Sequence, residues 1–187
     1  SNDSLAQWRA LDDALGAPVL TNQVRYSLLD RRPERELLDW ATEHGRILVA
    51  YSPLAQGLLS GRYDADHRPS GLRARTAPFL PENLRALAPL LAVLREVAAA
   101  HTAAPAQVAL AWLLSHDNVV VIPGASSVEQ AERNAESADL VLGAAELEAL
   151  TKAADAYQPV SGVPAIVRAR AEVATRRLRR ALDGLQS

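Results

Sequence analysis

The stretch Val119-Val-Val-Ile-Pro-Gly-Ala-Ser-Ser-Val-Glu-Gln-Ala-Glu-Arg-Asn134 decides how the rest of the chain is read. An apolar run breaks at Pro123-Gly124, passes through small hydroxyl residues and enters a polar helical segment. Physically this is a strand whose C-terminal end feeds a helix N-terminus. Such a turn exposes backbone N–H groups suited to a phosphate, and Ser126 and Ser127 add side-chain donors. A second strand ends the same way, in Ile47-Leu-Val-Ala-Tyr-Ser-Pro-Leu-Ala-Gln-Gly-Leu-Leu-Ser-Gly-Arg62. Two strand ends with loops of this kind point to one anionic ligand lying across the top of a parallel sheet. That is a binding site, and its chemistry has to come from elsewhere.

Working outward, three apolar runs read as strands: Val19–Arg25, Ile47–Tyr51 and Val119–Ile122, parallel and adjacent in that order. The first alternates loosely, whereas the other two are near-continuous, as strands of parallel sheets covered on both faces are. Helical periodicity fills the intervals. Ser4 caps a helix carrying Leu5, Trp8, Leu11 and Leu15 and ended by Gly16. The segment from Pro33 places Leu37, Leu38, Trp40 and Ala41 on one side and stops at Gly45. A leucine- and alanine-rich stretch runs from Glu82 to His101, Pro105 opens a further helix, and another follows Gly143. Arg62 to Pro81 is the one long polar break, read as a loop over the ligand site or as a disordered insert. The alternation of helices and strands defines an α/β chain.

At 187 residues the chain supports one domain with a substantial core. Its apolar content of 49% and charged content of 22% are ordinary for a globular protein. A formal charge of −2 gives no electrostatic reason to expect nucleic acid or an acidic membrane as partner. No apolar run approaches the length of a membrane span. Cysteine is absent, which excludes disulfides, thiol nucleophiles and cysteine metal sites. No metal-binding spacing is present, and these features fit a cytoplasmic protein. Methionine is absent even at residue 1, so a chain opening on Ser1-Asn2 reads as processed or as the back part of something longer.

Several elements arrive together in one order: Ser1-Asn2, Asn22-Gln23-Val-Arg-Tyr26, Tyr51-Ser-Pro-Leu with Gly57-Leu-Leu-Ser-Gly-Arg62, Pro105-Ala-Gln-Val-Ala-Leu-Ala-Trp-Leu113, and Gly124-Ala-Ser with Glu129-Gln130 and Asn134. With these the chain resembles the aldo-keto reductases, in the branch that includes potassium-channel β subunits and related bacterial enzymes. The resemblance spans residues 1–159. It implies the C-terminal part of a (β/α)8 barrel, about strands 6–8 with their helices, followed by an amphipathic helical tail over 160–187. The tail's arginines are read as solvent-facing.

The same resemblance implies a nicotinamide dinucleotide, NADPH with NADH as the other possibility. Ser1, Asn2 and Gln23 would hold the carboxamide, although a strand glutamine can also be satisfied by backbone. Tyr51 would stack on the nicotinamide ring. Ser52, Pro53, Leu54, Gln56, Gly57 and Leu58 would track the pyrophosphate, with Arg62 against the phosphates. Arg73 would meet the adenosine phosphate, or is equally an ordinary surface arginine. Ile122, Gly124, Ser126, Gln130 and Asn134 would form the adenosine end. Arg133 departs from the family pattern, which has a glutamate there, and an arginine cannot accept a hydrogen bond.

No catalytic residue is assigned. The family's acid tyrosine, with its lysine, aspartate and histidine, has no counterpart in these residues. His44, His101 and His116 fall at expected helix C-terminal ends, which favour an imidazolium. Lys152 is the sole lysine, and Tyr26, Tyr63 and Tyr157 lack a lysine–aspartate setting. The expected function is reduction of a small aldehyde or ketone in partnership with the N-terminal half of the same barrel. The alternative is a non-enzymatic nucleotide-binding or oligomerising half-barrel.

Overall fold

The computed structural model describes residues 4–71 and 73–161 and the single positions 167 and 171. Ser1, Asn2 and almost all of the expected tail lie outside these residues. The order of elements is α1 (Leu5–Leu15), β1 (Thr21–Arg25), α2 (Leu37–Glu43), β2 (Ile47–Tyr51), α3 (Pro81–Ala100), α4 (Pro105–Leu114), β3 (Val119–Ile122), α5 (Val128–Glu136) and α6 (Ala144–Asp155). Short 3-10 turns lie at Arg32–Arg35, Ala55–Ser60, Arg73–Arg75 and Ala77–Phe79.

The three strands form one parallel sheet in the order β1-β2-β3. Register places Gln23 beside Val49 and Val120, and Arg25 beside Tyr51 and Ile122. Because side chains alternate along a strand, these aligned rows share one face. The other face carries Val24, Leu48, Ala50 and Val119, all buried under the helices. The expectation of a sheet covered on both faces is therefore corrected among the described residues. Helices cover one face only, and Tyr51, Val120 and Ile122 on the other remain 40%, 44% and 46% exposed.

Helix α4 is buried on all sides from Val108 to Leu113, as a helix apolar all round must be. It packs against β3, α3 and α5 and under the turn after β2. Helix α1 starts at Ser4, whose hydroxyl accepts the Gln7 N–H, but only Trp8 of its apolar residues is buried. Its grip on the sheet is polar. Asp12 accepts the Val19 N–H at 2.6 Å and the Arg46 guanidinium at 2.9 Å. The Val19 carbonyl accepts from Arg46 and from the Trp8 indole. With both backbone groups of Val19 held by side chains, pairing of β1 begins at Thr21 rather than at the expected Val19.

The insert between residues 62 and 81 is held by the core. Phe79 and Leu80 are buried, and Tyr63 meets Phe79 edge-on at 5.5 Å. Buried Asn83 donates to the carbonyls of Ala77 and Val160 and accepts the Val160 N–H.

Behind the sheet, Tyr26 donates its phenol proton to Glu34 at 2.9 Å and lies 3.0 Å from His116 Nε2. Arg31 clamps the same glutamate and reaches Asp155. With the phenol proton on Glu34, His116 Nε2 must be the protonated nitrogen that faces the tyrosine oxygen. Burial, with Arg31 nearby, holds the His116 imidazolium below its ordinary pKa, against the opposing pull of Glu34. The expected helix-end imidazolium is thus corrected, because desolvation outweighs the dipole at this position.

The sign follows from linkage. The unfolded chain binds the His116 proton more readily than the fold does, so this contribution is complete above the ordinary histidine range and is lost as pH falls through it. Urea unfolding at about pH 7.5 and about pH 5.5 is expected to show lower stability at the acid value. His116→Gln should flatten that difference, and an undiminished slope in the variant would assign it to another group.

Candidate functional site

Two loops meet above the C-terminal ends of β2 and β3. After Tyr51 the backbone turns through Ser52 at φ 51°, then through Ala55, Gln56 and Gly57 at 48°, 60° and 92°. Ala55 and Gln56 carry side chains in the left-handed region, which costs roughly 1–2 kcal/mol each. The conformation is held from below by buried Ala55, Leu58 and Leu59. It is held along the turn by the Leu54 carbonyl, which accepts from Gly57 and Leu59. Ser60 Oγ donates to the Gly57 carbonyl at 2.7 Å. Gly61 takes a left-handed φ of 72° that favours glycine, and a Cβ there would make a tight 3.3 Å contact with the Pro105 ring.

On the other side β3 ends in Pro123-Gly124, and α5 opens at Ser127, whose hydroxyl accepts the Gln130 N–H. The Gln130 side chain folds back over this turn. Its Oε1 accepts both the Ser126 N–H at 2.8 Å and the Ser126 hydroxyl at 2.9 Å. One turn further along, Arg133 pairs with Glu129 at 2.7 Å, both exposed.

Between the loops lies a cavity of about 690 Å³, within the range of about 300–1,000 Å³ usual for small-molecule and cofactor sites. Thirteen of the residues named from sequence line it: Ser52, Pro53, Leu54, Gln56, Gly57, Arg62, Arg73, Ile122, Gly124, Ser126, Gln130, Arg133 and Asn134. Three are arginines and no lining residue is acidic, which makes the cavity receptive to an anion. Among the described residues neither Arg62 nor Arg73 meets a carboxylate.

Other residues named from sequence are placed differently. Tyr51 stands at the end of β2 on the bare face of the sheet, next in sequence to the cavity wall. Gln23 lines a separate groove with Ser4, Trp8 and Asn22, because it lies two residues before the end of β1 and one strand further from the cavity. The Leu58 side chain is 3% exposed and packs into the core that supports the turn, which leaves only its backbone to face the cavity side. Ser1 and Asn2 lie outside the described residues.

Sequence reading missed Ser60, Tyr63 and Gln107, which also line the cavity. Tyr63 is brought there by its contact with Phe79, sixteen residues on, which only the folded insert reveals. Gln107 could have been found from its position after Pro105, where its side chain caps the Ala104 N–H. Tyr26 has partners but no access. It is fully buried behind the sheet, and burial beside Glu34 raises its pKa, so it holds its proton within the core.

Parallel strand ends, a left-handed loop and an arginine-walled cavity are features from which α/β proteins build ligand sites. A sequence profile of the aldo/keto reductase family matches residues 1–155, and the chain belongs to that family. It is 55% identical over 161 residues to an oxidoreductase of Mycobacterium tuberculosis, covering 86% of this chain and 50% of the relative. It is 32% identical over 137 residues to an NADH-specific methylglyoxal reductase of Escherichia coli, covering 73% and 42%. Among solved structures, an aldo-keto reductase from Klebsiella pneumoniae in complex with NADPH superposes with a TM-score of 0.57 at 30% identity, covering 85% of this chain and 47% of that one. The chain spans about half the length of the curated relatives it matches.

Proposed function

We propose that these residues form the cofactor-binding, C-terminal part of an NADPH-dependent carbonyl reductase, whose catalytic acid lies in the remainder of the barrel. The observation that carries this reading is the cavity at two parallel strand ends, with three arginines and no carboxylate in its wall. A dinucleotide diphosphate is the ligand that such a wall and length favour, and relatives named for NADPH and NADH support it. The pyrophosphate lies along Ser52–Gly57 against Arg62, and the adenosine reaches Gly124, Ser126 and Asn134. The nicotinamide runs from Tyr51 toward Gln23 over the bare face of the sheet. When bound, the cofactor supplies hydride. The residues described here bind and orient it, and they do not protonate the product. NADH remains a usable alternative.

The bare face supports the rest of the proposal. A barrel interior is filled by layers of side chains from all its strands. Val49, Val120 and Ile122 are apolar residues of that kind with no covering layer among the described residues. The remaining strands, the N-terminal half of the same barrel, are the natural cover, and residues 1–159 are the unit that joins them. The substrate class is a small aldehyde or ketone, in line with the methylglyoxal reductase relative.

In the complete protein, Arg62→Ala should weaken NADPH binding by about 1.5–3 kcal/mol through loss of a charged hydrogen bond to phosphate. Tyr51→Ala should weaken it through lost stacking on the ring. Fluorescence titration reads both, and unchanged affinity in each variant would remove these residues from the site.

A further inference from the structure

We propose that Asn83 is a positioning residue for the cofactor, fastening the arginine-bearing insert and the backbone at Val160 to one point, so that a ligand held by the insert also holds Val160. This rests on the proposed dinucleotide site, although Asn83 does not line the cavity. It stands in the first turn of α3 and is 1% exposed. A buried amide must satisfy two donor hydrogens and an acceptor oxygen. Here Nδ2 donates to the Ala77 carbonyl at 2.7 Å and to the Val160 carbonyl at 3.0 Å, and Oδ1 accepts the Val160 N–H at 2.7 Å. One side chain thus grips both backbone groups of a residue seventy-seven positions away. The apolar contacts agree, since buried Leu80 packs against Ala77 and Val160.

From Ala77 the path to the cavity is short. The Thr76 N–H and hydroxyl both donate to the Arg73 carbonyl, at 3.1 and 2.9 Å. The Phe79 N–H donates to the Thr76 carbonyl, and the Phe79 ring meets Tyr63 edge-on. Arg73 and Tyr63 both line the cavity. This part of the insert has only two three-residue 3-10 turns, Arg73–Arg75 and Ala77–Phe79, so side-chain ties decide where it sits. Removing the amide releases the Ala77 carbonyl and both polar groups of Val160 at once, and the two segments loosen together. Coupling is reciprocal, so a diphosphate that steadies Arg62 and Arg73 steadies Val160.

The test is hydrogen exchange in the complete protein, read by mass spectrometry with and without saturating NADPH, on peptides covering residues 63–79 and the Val160 amide. In the unaltered protein NADPH should slow exchange of both by about tenfold or more. In Asn83→Ala, and in Asn83→Leu, which keeps the bulk without the hydrogen bonds, the slowing should persist in the insert and vanish at Val160. The KM for NADPH should rise by about five- to tenfold in both variants, with kcat held within about twofold. NADPH that slows the insert of the unaltered protein but leaves Val160 unchanged overturns the proposal, and this comparison decides alone if neither variant folds. An unchanged KM in both folded variants overturns it equally. Failure of NADPH to slow the insert would instead overturn the placement of the dinucleotide against it.

Discussion

A carboxylate at Val120 is expected to act in opposite directions in the isolated chain and in the complete protein. Val120 is 44% exposed and sits mid-strand on the uncovered face of the sheet, in register with Val49 and Gln23. In the isolated chain Val120→Asp removes an apolar group from an exposed patch and adds charge, so self-association should fall, as light scattering would show. On the proposed reading of this sheet as part of a barrel, the same position in the complete protein points into a packed interior. An uncompensated buried charge costs about 3–5 kcal/mol, a large part of the roughly 5–15 kcal/mol that holds a domain together. The unfolding midpoint in urea should drop accordingly. A loss below about 1 kcal/mol in the complete protein would mean that this face is not the inside of a barrel.

The strand ends were legible because each carries its own signal. Valines at 119–121 can hardly be anything but a strand, and Pro123-Gly124 can hardly continue one. Parallel order followed from the helical segments between strands. The cavity wall was legible for the same reason, since it is made almost wholly of the residues directly after those ends.

What escaped depended on contacts distant in sequence. The start of β1 was misjudged because Asp12, Trp8 and Arg46 hold Val19, and no local pattern announces that. The left-handed backbone at Ala55 and Gln56 was invisible because neither residue is glycine, and the strain is supported by core packing beneath. His116 read as a charged helix end, whereas the fold places it against Tyr26, ninety residues away. Which face of the sheet lacks helices was not legible in the apolar runs of β2 and β3, whose two sides look alike in sequence.

Hydride transfer to a carbonyl produces an alkoxide that must be protonated as it forms. A positioned acid is worth about 10²–10⁴-fold in rate. Among the described residues lining the cavity there is no histidine, lysine or carboxylic acid. Tyr63 lies there, with Phe79 as its ring partner. The decisive measurement is NADPH oxidation with a generic aldehyde, made on the isolated 187-residue chain and on the complete protein under identical conditions. The expected rate for the isolated chain is lower by about 10²–10⁴-fold or more, with activity returning when the remaining half of the barrel is supplied. A purified chain that turns over at a rate comparable to the complete protein would contradict the account and place the acid within these residues.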